Sequence, residues 1–201
     1  MISLAVFLGN PGAQYALNRH NAGRLLAEKL PFYTSLHWQK KFKGLFSANT
    51  PDDGMIRYFL MPETYMNLSG SSVRSAASFY KIKSGEIIVI HDELELPLGT
   101  VSLKYAGGLG GHNGLRSIRK ELGTADFWRL RVGIGRPPAA SEPAVPGEIA
   151  QWVLEDFDPA EKPALEAALD AGAALLVRVL AEEPEPLLAE WKKKTIDLFK
   201  H

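Results

Sequence analysis

The chain opens on an apolar run over residues 2–8, ISLAVFL, and a second such run, EIIVI, occupies 86–90. Short, β-branched apolar runs of this kind are the pattern of strands covered on both faces of a sheet. Elsewhere the period lengthens. Ala22, Leu25, Leu26 and Leu30 share one helical face, Arg24, Glu28 and Lys29 lie off it, and Pro31 stops the segment. Residues 38–46 interleave Lys40, Lys41 and Lys43 with Trp38, Phe42 and Phe46, which predicts one exposed strand with an aromatic face; contact with RNA is the competing reading. Residues 47–48 and 55–61 read as hairpin arms around NTPDDG at 49–54. A helix follows, with Val73, Ala76, Ala77 and Tyr80 recurring at helical spacing. Residues 99–105 read as a strand, and Leu115, Ile118 and Leu122 mark a further helix. In WRLRVGIG at 128–135 the alternation puts Arg129 and Arg131 opposite the apolar face. Residues 137–147 form a Pro- and Ala-rich loop, 149–154 begin a helix, and 159–181 make a long one striped by Leu165, Leu169, Ala173, Leu176 and Leu180. In 186–199, Leu187, Trp191 and Leu198 fall on one side and Lys192, Lys193 and Lys194 on another. The alternation predicts an α/β fold: a single domain over 1–201, with a twisted mixed β-sheet flanked by helices and a helical C-terminal third.

Composition narrows the chemistry. The chain has 201 residues, 46% of them hydrophobic, and no cysteine, so it can bury a core without disulfides. The lack of cysteine excludes a thiol nucleophile, a CxxC redox pair and a thiolate zinc site, and fits a reducing, cytoplasmic setting. The apolar N-terminus has no basic n-region and is too short before Gly9 for a signal peptide or membrane span. The formal net charge of +0 argues against a uniformly basic nucleic-acid binder. The charge is nevertheless uneven. Residues 102–136 carry seven basic residues (Lys104, Arg116, Arg119, Lys120, Arg129, Arg131, Arg136) against Glu121 and Asp126. Residues 137–190 carry twelve acidic residues against Lys162 and Arg178. That asymmetry permits a basic face for phosphates on a neutral protein.

The unusual polar residues collect where elements meet. LGNPGAQYALNRHNAG at 8–23 joins the first strand to the first helix, with Asn10 near one end, His20 near the other and Asn21 placed to cap the helix. Asn67 stands at a helix entrance, as an N-cap or as an amide offered to a ligand. Asp92 ends the central strand, where it can close an Asx-turn or orient a histidine from elsewhere. Four glycines in the five positions 107–111 precede Asn113 at a helix start. Neither a P-loop nor a GxGxxG fingerprint is present. Taken separately, Asn10, His20, Asn67, Asp92 and Asn113 could serve five turns. Taken together they make a proton-transfer pair with three amides, the equipment of an ester or amide hydrolase. With no GxSxG elbow and no cysteine, direct attack by water is the economical route. A metal hydrolase using His20, His91, Asp92 and His112 would lack a helical His pair or compact ligand spacing.

The segments LGNPGAQYALNRHNAG, YMNLSG at 65–70, HDELELPLG at 91–99, GGLGGHNGLRSI and RLRVGIGRP, in this order and spacing, resemble bacterial peptidyl-tRNA hydrolase. The resemblance runs from the first strand to about Pro137. It implies a single α/β domain, usually monomeric, that cleaves the ester between a peptide's C-terminus and the terminal ribose of tRNA, with no cofactor, metal or membrane involved. By position it implies that His20 is the catalytic base and Asp92 its partner. Asn10 and Asn67 would serve the substrate carbonyl and the water, and Asn113 the peptide backbone. Tyr65 and Met66 would wall the peptide or terminal base, and Lys104 and Arg131 would hold the tRNA 5′-phosphate. A non-catalytic RNA-binding relative of the same fold is the alternative. The sequence departs from the family pattern at Asn18, where threonine is usual before Arg-His, and at Glu93 and Glu95, where aspartates are common. Asn18 therefore bears on how the loop presents His20.

Overall fold

The computed structural model describes residues 1–50, 54–137 and 146–196. The two apolar runs become neighbouring strands, β1 (Leu4–Phe7) and β5 (Ile87–Glu93), paired in parallel with Leu4 opposite Ile87 and Phe7 opposite Ile90. β4 (Arg57–Pro62) runs parallel to β1 on its other side, and β7 (Trp128–Gly133) runs parallel to β5. Antiparallel strands extend both edges. β3 (Gly44–Asn49) and β2 (Gln39–Lys41) lie beyond β4, while β6 (Thr100–Tyr105) and β8 (Lys194–Thr195) lie beyond β7, in the order β2-β3-β4-β1-β5-β7-β6-β8. The sheet is therefore mixed, as expected, with its four parallel strands at the centre.

Helices cover both faces. α1 (Ala22–Glu28), α4 (Pro146–Val153), α5 (Lys162–Ala181) and α6 (Leu187–Glu190) accompany the face bearing Phe7, Ile88, Ile90, Leu130 and Val132. α2 (Ser69–Tyr80) and α3 (Asn113–Leu122) cover the face bearing Val6, Leu8, Ile87 and Val89. Each fully buried aliphatic side chain in these two layers contributes about 1.5–3 kcal/mol. One close approach matters for the site. A Cβ on Gly23 would stand 2.5 Å from Ile90 O and 2.7 Å from Leu8 O, so only glycine lets the start of α1 rest on the ends of β1 and β5.

Two expectations are corrected and one is sharpened. Residues 38–46 are not one strand: the chain reverses at Phe42 and Lys43, both left-handed (φ 54° and 55°), and β2 and β3 pair as a hairpin. Arg129 points opposite Leu130 and Val132, as the alternation predicts, and is not left open to solvent there. It is buried, donating from Nη1 to Gly108 O at 2.7 Å and from Nη2 to Ala106 O. The C-terminal segment is helical only in part, since after α6 it adds β8 to the sheet edge, where Trp191 O accepts Leu103 N–H at 2.6 Å. Residues 51–53 of the expected turn, 138–145 of the Pro-rich loop and 197–201 lie outside the described residues.

Candidate active site

Alternation along β5 decides how the site begins. Side chains of successive strand residues point to opposite faces, so Asp92 continues the row of Ile88 and Ile90 toward α1 while His91 continues the row of Ile87 and Val89 toward α2 and α3. His20 comes from the 3-10 turn Arg19–Asn21 that leads into α1, and its Nδ1 lies 2.9 Å from Asp92 Oδ1. The expected pair therefore meets. Both groups are buried, at 8% and 2% exposure.

His112 is the partner that sequence reading did not give this role. It stands at the N-cap of α3, where its Nδ1 accepts the N–H groups of Gly114 (3.1 Å) and Leu115 (3.4 Å). That leaves the proton on Nε2, which donates to the same Asp92 Oδ1 at 2.9 Å. Histidine is an unusual N-cap, and its place after a glycine run and before Asn113 was the available signal. His91 turns away. It donates from Nδ1 to Asp92 O at 2.6 Å, and its ring meets that of His112 edge-on at 5.0 Å.

These contacts set the charges. Burial acts to raise the Asp92 pKa, but His20 and His112, by charge and by hydrogen bond, outweigh it and hold the carboxyl well below its ordinary value. Burial acts to lower His20, and the charge and hydrogen bond of Asp92 reverse that, leaving it raised above 6.5. His91 is pushed well below 6.5, first by burial and then by His112. An ionised Asp92 thus fixes His20 with its proton on Nδ1. The Nε2 lone pair of His20 has no partner among the described residues.

Asn10 joins three loops. Its N–H donates to Asn21 Oδ1 (2.8 Å), its carbonyl accepts from Asn21 Nδ2 (3.0 Å), and its Oδ1 accepts Met66 N–H (2.9 Å). Asn21, expected to cap α1, instead spends its side chain on Asn10 and makes no cap bond. With Oδ1 occupied, the Asn10 NH2 group is left to donate. A Cβ on Gly114 would lie 2.6 Å from Met66 Sδ, so Met66 packs against the residue beside Asn113. His20, Asp92, His112, Asn113, Met66 and Asn10 are in this way linked in a ring.

A cleft of about 950 Å³ opens on one side of the ring, lined by His20, Asp92, His112 and Asn113 and walled further by Arg116 and by Ile149 and Val153 of α4. Asn10, Tyr65, Met66 and Asn67 do not line this cleft. Tyr65, Asn67 and Asn113 are exposed, and no side-chain hydrogen bond engages them among the described residues. Asn67 lies in the 3-10 turn Met66–Leu68, and the cap position of α2 falls to Leu68, so Asn67 is no N-cap.

The phosphate-binding candidates lie on the face that carries α3. β6 and β7 pair so that Lys104 faces Arg129 and Ser102 faces Arg131, which makes Lys104 and Arg131 diagonal neighbours. Burial, then Arg129 and Arg131, lower the Lys104 pKa. Arg131 donates to Ser102 Oγ at 2.7 Å and pairs at 3.4 Å with Glu93, itself a wall of the cleft. Arg116, Arg119 and Lys120 on α3 are exposed on the same side.

His20, Asp92 and His112 could also hold a metal, since one ligand atom from each lies within 4.8 Å of the others. Both N···O distances, however, are 2.9 Å, shorter than the about 3.3 Å between ligands at a tetrahedral angle around an ion bound at zinc distances. Each is already accounted for by a hydrogen bond. No helix among the described residues is long and apolar enough to cross a membrane.

The family model described as peptidyl-tRNA hydrolase matches residues 4–197. Peptidyl-tRNA hydrolase of Treponema pallidum (strain Nichols) is 47% identical over 200 residues, covering 97% of this chain and 96% of that protein. The enzyme of that name from Haemophilus influenzae is 49% identical over 172 residues, covering 84% and 85%. The crystal structure of peptidyl-tRNA hydrolase from Acinetobacter baumannii superposes with a TM-score of 0.80 at 35% identity, covering 95% of this chain and 96% of that one. A family match along almost the whole sequence, relatives near half identity and a common fold lead to one conclusion: the chain belongs to the peptidyl-tRNA hydrolase family.

Proposed function

We propose that the chain hydrolyses the ester joining a peptide's C-terminus to the terminal ribose of tRNA, using water deprotonated by His20. The observation that carries the mechanism is the 2.9 Å contact between His20 Nδ1 and an ionised, buried Asp92. It holds the imidazole in the tautomer whose Nε2 can take a proton. Water attacks the ester carbonyl and its proton passes to Nε2. The tetrahedral intermediate collapses by breaking the bond to the ribose oxygen, which takes the proton from His20. The products are a tRNA hydroxyl and a peptide carboxylic acid, which ionises by releasing its proton to water. Asn10 supports the oxyanion, because its Oδ1 is tied to Met66 N–H and its NH2 is left to donate. Asn67 is assigned to the same carbonyl and the water, and Asn113 to the peptide group next to the ester, where their exposed amides fit a polar substrate. Tyr65 and Met66 wall the peptide or terminal base, and Lys104 and Arg131 clamp the 5′-phosphate.

A substrate whose α-nitrogen is acylated pairs with Asn113, and a free ammonium does not. Turnover on N-acetylaminoacyl-tRNA should therefore exceed that on aminoacyl-tRNA, and Asn113→Ala should narrow the gap by about tenfold or more. Equal turnover on both substrates by the unmodified protein would overturn the proposed specificity. His20, Asp92 and His112 are read as a hydrogen-bonded set, so turnover on a short acceptor-stem substrate should withstand EDTA; a loss restored by added metal would favour the metal reading.

A further inference from the structure

The Asn18–Arg19 segment that delivers His20 is gripped by the far end of the chain. Arg19 is 1% exposed, and its guanidinium lies 3.7 Å from the Trp152 ring centroid and 4.8 Å from that of Phe157. Its Nη2 donates to Glu161 Oε2 at 2.8 Å, and its backbone N–H donates to Glu155 O at 3.0 Å. Asn18 pairs with Asp156 through a β-bridge and donates from Nδ2 to its carboxylate at 2.6 Å. Trp152 is itself anchored, its indole N–H donating to Gly135 O at 2.9 Å just beyond β7. Two guanidinium nitrogens of Arg19, Nε and Nη1, are buried without hydrogen-bond partners among the described residues. A buried cation with unused donors is a costly way to fill space, and an apolar residue would pack there more cheaply. What the guanidinium adds is direction: a planar group stacked on a fixed indole and tied to a carboxylate has one orientation, and the next residue along the chain is His20.

We propose that Arg19 and Trp152 are positioning residues for the reaction, and that their stack sets the angle at which His20 Nε2 meets the attacking water. The inference rests on the reading of His20 as the base. It gives the acidic C-terminal third a task beyond packing, and it explains how Asn18 serves the loop, by bonding to Asp156. The test is a set of single-turnover measurements on N-acetylaminoacyl-tRNA at saturating enzyme, with KM taken from steady-state turnover of the same substrate. Trp152→Leu should lower the rate by about tenfold or more with KM within about twofold, and Trp152→Phe, which keeps a ring under the guanidinium, should recover most of it. In a His20→Ala background the same Trp152→Leu change should alter the residual rate by less than about twofold, because there is no imidazole left to aim. If Trp152→Leu does not fold, Asn18→Ala, which removes only the bond to Asp156, carries the comparison with an expected loss of about threefold that vanishes without His20. A rate unchanged by these substitutions in the presence of His20, or a loss of the same size in its absence, would overturn the proposal. Full activity in His20→Ala itself would instead remove the reading on which it rests.

Discussion

Replacing Asp92 with asparagine keeps the shape of the side chain and removes the charge that two imidazoles share. In the native site burial acts to lower the pKa of His20, and the charge and hydrogen bond of Asp92 carry it above 6.5. Without that charge burial becomes the largest influence left, so the pKa of His20 should fall. A general base must be neutral, so the acid limb of kcat/KM, set above 6.5 in the native protein, should move to lower pH in Asp92→Asn. The plateau should drop as well, because the transition state builds positive charge on an imidazole 2.9 Å from the missing carboxylate. Loss of a buried carboxylate in this role costs on the order of 10²–10⁴ in kcat, or about 3–5 kcal/mol. Stability follows the same pair, counted once. The raised pKa of His20 contributes stability that is complete below 6.5 and lost as pH rises through its folded value. The depressed pKa of Asp92 contributes stability present above 3.8 and lost as pH falls through its folded value. The Tm advantage of the native protein over Asp92→Asn should therefore be greatest between 3.8 and 6.5 and shrink in alkali. The assay is kcat/KM on N-acetylaminoacyl-tRNA from about pH 5 to 9, with Tm measured in the same buffers. An acid limb that stays put or rises, or a plateau within about threefold of native, would refute the reasoning.

The remaining predictions concern the walls of the site. His112→Ala should lose both the α3 cap and a donor to Asp92, lowering stability by about 1–2 kcal/mol and kcat by about tenfold. His112→Asn should restore the cap but not the rate, and recovery of both would place His112 outside the chemistry. Lys104→Ala and Arg131→Ala should each raise KM for substrates bearing a 5′-phosphate and reduce the salt slope by about one; an equal rise for phosphate-free substrates would count against the clamp. Gly23→Ala would press a Cβ against two backbone carbonyls and should lower Tm by roughly 4–8 °C, a loss of about 2 kcal/mol after the gain in helix propensity. An unchanged Tm in a differential scan would mean that α1 can lift off the strands at little cost.

The parts of this architecture that could be read from the sequence are those determined locally. The β-branched run at 86–90 reads as a covered strand, and all of it but Glu86, which closes a 3-10 turn, lies in β5; His20, Asp92 and Asn113 stand out as polar groups at element ends, where an α/β sheet collects its ligands. Long-range pairings stayed hidden. Nothing near Asn21 shows that its amide is bound to Asn10 rather than to its own helix, and nothing near Arg19 points to Trp152, more than a hundred residues away. The reversal at Phe42 and Lys43 escaped because it lacks the Asn-Gly chemistry that two left-handed residues normally demand; packing of Phe42 against Phe46 and Tyr80 overrides that preference. The burial of Arg129 stayed hidden because strand alternation assigns it a face, which it keeps, without showing that the glycine loop closes over that face and takes its donors. His112 was noticed only as a possible metal ligand, since its second role depends on a carboxylate brought from another strand.

The central claim is that His20 takes a proton from the water that attacks the ester. Its most direct test is the pH dependence of single-turnover hydrolysis of N-acetylaminoacyl-tRNA by the native protein and by His20→Ala. The account predicts that the native rate rises through a pKa above 6.5 to a plateau, and that His20→Ala lies lower by about 10²–10⁴ and lacks that limb. A His20→Ala rate near the native value, or one that still rises through the same pKa, would contradict it.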